Sequence, residues 1–260
     1  MRSYIAAIIL FAASLSAIAQ EYNIGIHINP AFCSPVFDRK SVYDTRLNVS
    51  GLRMTYNVGA DLNIVLKKWR IETGLNYVNK AIVFGQNTYN ISGIAYSRDI
   101  VNSNSYEVPV LLGYKLLTRD KKTFYHLYGI AGASYECSNV TGMTSRTGAQ
   151  GNGSINITGH TISLPSGVQQ SVNIIAGFHI NAIVHKLGLI DYGISYHFPF
   201  NTRRPDISDA YIASTTVSSG GGTAIYKGTF YPHMSYINLK IAYYFLNLDE
   251  HMRRKRYHKL

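Results

Sequence analysis

The strongest constraint on the fold is a strict alternation of apolar and polar side chains near the end of the chain, within residues 231–245. From Ile237 onward every second residue is apolar, and most of the residues between are polar. Side chains of a β-strand point alternately to opposite faces, so this segment predicts a strand with one apolar and one largely polar face. The apolar face consists of Ile237, Leu239, Ile241, Tyr243 and Phe245.

The same alternation recurs in six earlier segments. In a seventh, residues 123–138, the period is ambiguous when read alone and the tight turn before it resolves the faces, so the chain is predicted to form eight strands. The predicted strands are 22–32, 52–66, 69–84, 106–116, 123–138, 169–184, 188–200 and 231–245. The connections between them are alternately long and short along the chain. In an antiparallel up-and-down order this places all four long connections, which are predicted to be loops, at one end and all three tight turns at the other.

The N-terminal residues have the pattern of a secretory signal peptide. Arg2 precedes an apolar run, and the run is followed by the small-residue pattern Ala17-Ile18-Ala19. The run is shorter than the ~20 residues of a membrane-spanning helix, which disfavours the alternative of an uncleaved anchor. We therefore predict a signal peptide over 1–19, cleaved after about Ala19, a barrel domain over 20–246 and a basic C-terminal tail over 247–260.

Charged side chains on the less apolar face decide between two kinds of closed eight-stranded sheet. A lipocalin-like binder, which remains the weaker alternative, is soluble and has an apolar interior. A membrane barrel has a polar interior and an apolar exterior. An apolar face on every strand would not stay exposed to water, so the sequence predicts an all-β, eight-stranded antiparallel up-and-down transmembrane β-barrel. The predicted lumen charge network is Arg53, Asp61, Arg70, Glu72, Glu107, Lys115, Asp191 and Lys240.

Several of these features together resemble a known family. The signal peptide, the eight alternating strands, the segment YEVPVLLGY at 106–114 and the aromatic end of the last strand are similar to the PorT-like outer-membrane β-barrel family of Bacteroidetes-type bacteria. The architecture is also similar to the small OmpA and OmpX barrels. The resemblance covers about residues 22–245.

The resemblance implies a location in the cell outer membrane, with short turns in the periplasm and long loops outside. It implies that Ile237, Leu239, Ile241, Tyr243 and Phe245 form an assembly signal read by the barrel-assembly machinery during insertion. It also implies a role linked to protein secretion. The chain departs from the pattern because it continues about fifteen residues beyond Phe245, where such barrels commonly end.

Side chains capable of chemistry occur on the predicted inner face. Ser195 and His197 lie two residues apart on one strand, with Asp191 further along it. A serine, a histidine and an acid support acyl transfer, so an outer-membrane enzyme that modifies envelope lipid, as a hydrolase or acyltransferase, is the alternative function. Filling of the lumen is favoured, since neighbours on one strand rarely reach each other as nucleophile and base. His27, His179 and His197 show no metal-ligand spacing, and we expect no catalytic, cofactor-binding or metal site.

The expected function is therefore a non-enzymatic outer-membrane barrel with a plugged polar lumen, since eight strands leave room only for side chains. It would act as a structural, interaction or secretion-accessory component. The net charge of +11 in an exported chain favours anionic lipid headgroups or glycans over nucleic acid. We expect contact with outer-membrane lipids and a protein partner bound by the long loops or the basic tail. Cys33 and Cys137 either pair or stay as two free thiols.

Overall fold

The computed structural model describes residues 21–37, 42–43, 47–49, 53–90, 93–119, 124–151, 155–165, 167–184, 188–200, 210–219 and 222–247. The predicted signal peptide, and the predicted basic tail apart from its first residue, lie outside the described residues. Among the residues described, no helix is long and apolar enough to cross a membrane. The strands are β1 Glu21–Phe37, β2 Val42–Tyr43, β3 Leu47–Val49, β4 Arg53–Leu66, β5 Trp69–Asn90, β6 Gly93–Arg119, β7 Phe124–Gly151, β8 Ile155–Ser163, β9 Gln169–Val184, β10 Gly188–Phe200, β11 Tyr211–Ser219, β12 Gly222–Phe230 and β13 Pro232–Asn247.

Eight long strands close into a ring. In chain order β1, β4, β5, β6, β7, β9, β10 and β13 each pair antiparallel with the next, and β13 pairs back with β1. The predicted fold class, an eight-stranded antiparallel up-and-down transmembrane barrel, is confirmed. Closure of the ring satisfies the backbone donors and acceptors that a sheet edge would expose to lipid.

The two faces of the barrel wall differ in burial as the alternation predicts. On β13, Ile241 is 52% exposed and Phe245 51%, whereas Asn238 is 6% exposed and Lys240 4%. Large apolar side chains point outward on all eight ring strands, and charged side chains point inward on most of them. The exposed aliphatic side chains of the ring include Ile26, Ile28, Met54, Leu75, Val108, Val110, Leu112, Ile174, Ile180, Ile194 and Ile241.

Aromatic pairs mark both limits of this apolar surface. Trp69 packs against Tyr114 near the tight turns, with ring centroids 4.8 Å apart. Tyr77 packs against Tyr106 toward the other end, at 5.6 Å. The eight residue steps from Trp69 to Tyr77 measure about 26 Å along the strand, which is about 20 Å across the membrane at a tilt of about 40°. The two aromatic pairs correspond to the girdles that flank the ~25 Å apolar band of outer-membrane barrels.

In their described parts, the four segments predicted to be long loops are largely strand, and that part of the prediction is wrong. β5, β6 and β7 continue past the Tyr77–Tyr106 pair, and just beyond it Asn79 of β5 donates to Asn104 of β6 at 2.9 Å. A second antiparallel sheet of order β2-β12-β11-β8 forms from the remaining connections. Ser, Thr and Gly are so frequent in these segments that the alternation of apolar and polar residues is too weak to predict a strand.

The outer end of the barrel contains an apolar cluster, here called the cap core: Ile82, Phe84, Val101, Tyr211, Ala213, Val217, Tyr226 and Phe230. Inner-face residues of β5 and β6 meet the buried face of the β11–β12 hairpin in this cluster. The Phe84 ring lies 5.6 Å from that of Tyr211 and 5.3 Å from that of Phe230. Burial raises the pKa of the Tyr211 hydroxyl, so this residue is uncharged in the cap core. The cap core covers the outer end of the lumen.

The turns and prolines set the register. Leu66 pairs with Trp69, as the two-residue turn predicts. At the next turn Thr118 pairs with His126, three residues beyond the predicted Thr123, and a register shift at 115–117 contributes one residue of this difference. The expected irregularity at Pro109 is present: the β5–β6 ladder is interrupted there, and Thr73 Oγ1 donates to the Pro109 carbonyl at 2.8 Å.

Candidate functional site in the barrel lumen

The candidate site consists of the charged side chains that the pleat of each strand directs into the lumen. Arg70 and Glu72 are two residues apart on β5, and Asp191 and Lys240 project inward from β10 and β13. Small residues make room for larger ones. A Cβ atom on Gly193 would lie 2.2 Å from the His179 ring, so glycine at this position allows the imidazole to pack against the wall.

A first group of charges, the lower layer, lies toward the tight turns: Asp61, Arg70, Glu72, Asp191 and Lys240, with His27 and His179. Arg70 donates to Glu72 Oε2 at 2.6 Å and to Asp191 Oδ1 at 3.2 Å. Its side chain is 1% exposed. These bonds link β5 to β10 across the lumen.

Lys240 links a third strand to the same layer. Its Nζ forms ion pairs with Glu72 and, at 3.0 Å, with Asp61 Oδ2. Asp61 is also 3.0 Å from His27 Nδ1. The lower layer therefore joins β1, β4, β5, β10 and β13 through side chains that solvent does not reach.

A metal site in the lower layer is disfavoured by its own cations. Ligand atoms of Glu72, His179 and Asp191 lie within 4.8 Å of one another, a spacing that a metal ion would accept. Arg70 and Lys240 already hold these carboxylate oxygens as charge-assisted partners. A metal ion would have to displace two buried positive charges from their partners.

A second group, the upper layer, lies between the lower layer and the cap core: Lys80, Glu107, Ser134, Glu136, Asn173, Ser195, His197 and Tyr236. Lys80 Nζ lies 2.7 Å from both carboxylate oxygens of Glu136. Asn173 Nδ2 donates to Glu136 Oε2 at 2.7 Å. Glu107 accepts hydrogen bonds from the Tyr236 and Ser134 hydroxyls, and it is fully buried.

The structure distributes the eight residues of the predicted network unevenly. Asp61, Arg70, Glu72, Asp191 and Lys240 meet in the lower layer, and Glu107 belongs to the upper layer. Arg53 is half-buried near the outer end of β4, opposite Cys33 of β1. Lys115 is half-buried near the tight turns, with its Nζ 5.9 Å from the centroid of the Tyr128 ring.

Sequence reasoning did not include Lys80 and Glu136 in the network. Lys80 has the same strand parity as Arg70 and Glu72, so parity alone would have placed it in the lumen. Glu136 could have been found by continuing the inner face of β7 from Tyr128. Their partnership spans 56 positions and is not visible in the sequence.

The predicted assembly-signal residues all lie on the outer face of β13. Ile237 and Leu239 are half-exposed, and Ile241, Tyr243 and Phe245 are exposed. Recognition of this face by the assembly machinery stays a prediction.

The two cysteines are free thiols on opposite faces of the wall. Cys33 is buried in the lumen, 3.3 Å from Thr55 Oγ1, and Cys137 is half-buried on β7. β1 and β7 are not neighbours in the ring, so the alternative of a Cys33–Cys137 disulfide is excluded in this fold.

Comparisons with known proteins return matches only among solved structures. No protein-family model and no curated protein match the chain. The Ail attachment invasion locus protein of Yersinia pestis is 12% identical with a TM-score of 0.32, covering 85% of this chain and 97% of Ail. Ail in complex with the heparin analogue sucrose octasulfate gives 11% identity and a TM-score of 0.32 over the same shares.

The translocator domain of the autotransporter NalP from Neisseria meningitidis is 10% identical with a TM-score of 0.27, covering 94% of this chain and 98% of that domain. At these scores the matches add nothing to the barrel already established from the strand pairing.

Proposed function

We propose that this chain is an outer-membrane β-barrel protein with a closed lumen, acting as a structural or interaction component of the envelope. The observation that supports this most strongly is the filling of the lumen by the lower layer, the upper layer and the cap core in succession. Buried ion pairs such as Arg70–Asp191 fill the space that a solute would need. This role requires no catalysis, cofactor or nucleic acid.

The outer membrane is the proposed location because the predicted signal peptide exports the chain and the outer face of the barrel is apolar, as contact with lipid requires. Interaction is assigned to the strand-rich outer end, where the β8–β11–β12 sheet stands beyond the aromatic girdle, and to the predicted basic tail. The narrower role of a secretion accessory rests on the resemblance to PorT-like proteins alone.

A closed lumen predicts negligible conductance. Purified protein inserted into a planar bilayer is expected to give no stable single-channel openings, because Arg70 and Lys240 are held by ion pairs that solvent does not reach. A general porin under the same conditions is the positive control. Large and stable openings from the folded protein would refute the closed lumen, and with it a role confined to the protein's surfaces.

A further inference from the structure

Three side chains of the upper layer are connected in series. Ser195 Oγ lies 3.1 Å from His197 Nε2, and His197 Nδ1 lies 3.0 Å from Glu107 Oε1. We propose that Ser195, His197 and Glu107 form a nucleophile, base and acid that cleave or transfer the acyl group of a membrane lipid. This activity goes beyond the surface role proposed above and departs from the sequence-based expectation of a protein without catalysis.

Both imidazole nitrogens have the partner that acyl transfer requires. A nucleophilic serine needs a base that accepts its proton, and the base needs an acid on its other nitrogen to fix its tautomer and stabilise its charged form. Sequence reasoning had considered Asp191 as the acid. Asp191 instead binds Arg70, and Glu107 reaches His197 from β6, 90 positions away.

Further contacts hold the base and the acid in place. The His197 ring stacks on Tyr236, with centroids 4.1 Å apart and an interplanar angle of 23°. The Tyr236 and Ser134 hydroxyls both donate to Glu107. An imidazole that stacks on an aromatic ring and whose Nδ1 contacts a hydrogen-bonded carboxylate is preorganised for proton transfer.

The barrel wall between β10 and β13, beside Ser195, His197 and Glu107, offers a substrate a route from the membrane into the lumen. The ladder between β10 and β13 ends at the pair His197–Tyr236, although β10 continues to Phe200. Pro199 lacks the N–H that a further ladder bond would use. Above this pair, the described parts of the two strands can separate without loss of ladder hydrogen bonds between them.

This route favours a lipid as the substrate. Tyr196 and Phe198 present exposed rings on the outer surface at the same point. Ser195 is only 3% exposed in this structure, so a substrate has to enter between the strands rather than from bulk water. An ester whose acyl chain already lies in the membrane reaches the serine by the shortest path.

Besides the lipid ester, the reaction consumes only water or an acceptor alcohol. Ser195 Oγ bonds to the ester carbonyl carbon while its proton moves to His197 Nε2. The C–O bond of the ester breaks, and the leaving alcohol takes that proton. Water or an acceptor hydroxyl then attacks the acyl-serine and gives its proton to Nε2, from which Ser195 recovers it as the acid or new ester departs. Glu107 remains ionised throughout.

A long-chain alkyl fluorophosphonate, applied to the full-length protein in native membranes, tests the serine directly. The expected result is one covalent adduct, mapped by mass spectrometry to Ser195. Ser195→Ala should give no adduct, and His197→Ala should label about 100-fold more slowly because the general base is lost. Ser103→Ala is the control and should label like the wild type, since this buried serine donates to the Asn139 carbonyl outside the set.

Folding of each variant is checked by its heat-dependent mobility on a gel. The labelling of the wild type tests the proposal even if a variant fails to fold. Folded wild-type protein without an adduct, or with an adduct on another serine, overturns the proposal. In phosphatidylethanolamine vesicles the wild type should release fatty acid and Ser195→Ala should not. Labelling of Ser195 without fatty-acid release overturns the assignment of a membrane lipid as substrate.

Discussion

Replacing Arg70 with alanine is expected to destabilise the folded barrel by about 3–5 kcal/mol. The substitution removes the guanidinium that binds both the Glu72 and the Asp191 carboxylates. Glu72 keeps its ion pair with Lys240, whereas Asp191 is left with the Lys240 Nζ at 3.8 Å. A buried ion that loses its partner keeps its full desolvation cost, whereas the intact pair contributes little net stability. The loss of folding stability therefore comes from buried carboxylates that have lost a partner, and it far exceeds what one surface ion pair contributes.

Urea unfolding in detergent micelles, followed by tryptophan fluorescence, measures the free energy of unfolding. Arg98→Ala is the matched control because Arg98 is exposed, and it should change that free energy by less than about 0.5 kcal/mol. The double variant Arg70→Ala/Asp191→Asn should be more stable than the sum of the two single effects predicts. Additive effects, or equal effects of Arg70→Ala and Arg98→Ala, would contradict the lower layer described here.

A charge placed on the outer face of β13 should impair assembly far more than the same charge on the inner face. Ile241→Asp puts a carboxylate into lipid without a partner and is expected to cost on the order of 2 kcal/mol. Asn238→Asp changes one atom at a position where Asn57 already donates to the side-chain oxygen. The lumen variant keeps the shape and the hydrogen bond of Asn238, and the Lys240 ammonium lies two residues away on the same inner face, so its carboxylate has a nearby positive charge that one facing lipid lacks. It should therefore assemble better than Ile241→Asp.

The comparison is made by the fraction of each variant that reaches the outer membrane in heat-modifiable, folded form. Leu246 and the residues after it are kept unchanged, so that both variants carry the same chain end. Equal assembly of Ile241→Asp and Asn238→Asp would show that the faces of β13 have been assigned wrongly.

Alternation, together with the tight turn before residues 123–138, predicts the eight ring strands. Each strand has one face toward lipid and one toward the lumen, which imposes a two-residue period. The strands of residues 188–200 and 169–184 begin and end where the pattern predicts. Alternation predicts that the fourth strand begins at Tyr106, whereas β6 begins at Gly93, because the segment before Tyr106 lies outside lipid and needs no apolar face. For the same reason the sequence predicts a loop where the β11–β12 hairpin lies.

Partners across the lumen could not be predicted from strand parity. Parity places Glu107, Asp191 and His197 inside, but which side chains meet depends on the stagger of eight strands around the ring. The single inserted residue near Leu116 shifts the register of β6 against β7, and no turn residue in the sequence predicts this shift. Asp191, on the same strand as His197, is the acid that the sequence offers for the disfavoured catalytic alternative, whereas in the structure His197 contacts Glu107 of β6.

Site-directed labelling at the two ends of the barrel tests most directly whether the chain spans a membrane. Single cysteines replace Thr223 in the outer hairpin or Lys68 in a tight turn, both exposed, in a Cys137→Ser background in which Cys33 stays buried. A maleimide linked to a polymer too large to cross the outer membrane is added to intact cells. The Thr223→Cys protein should react in intact cells and the Lys68→Cys protein only after the cells are broken. Equal reaction of both in intact cells would contradict a membrane-spanning barrel with its tight turns in the periplasm.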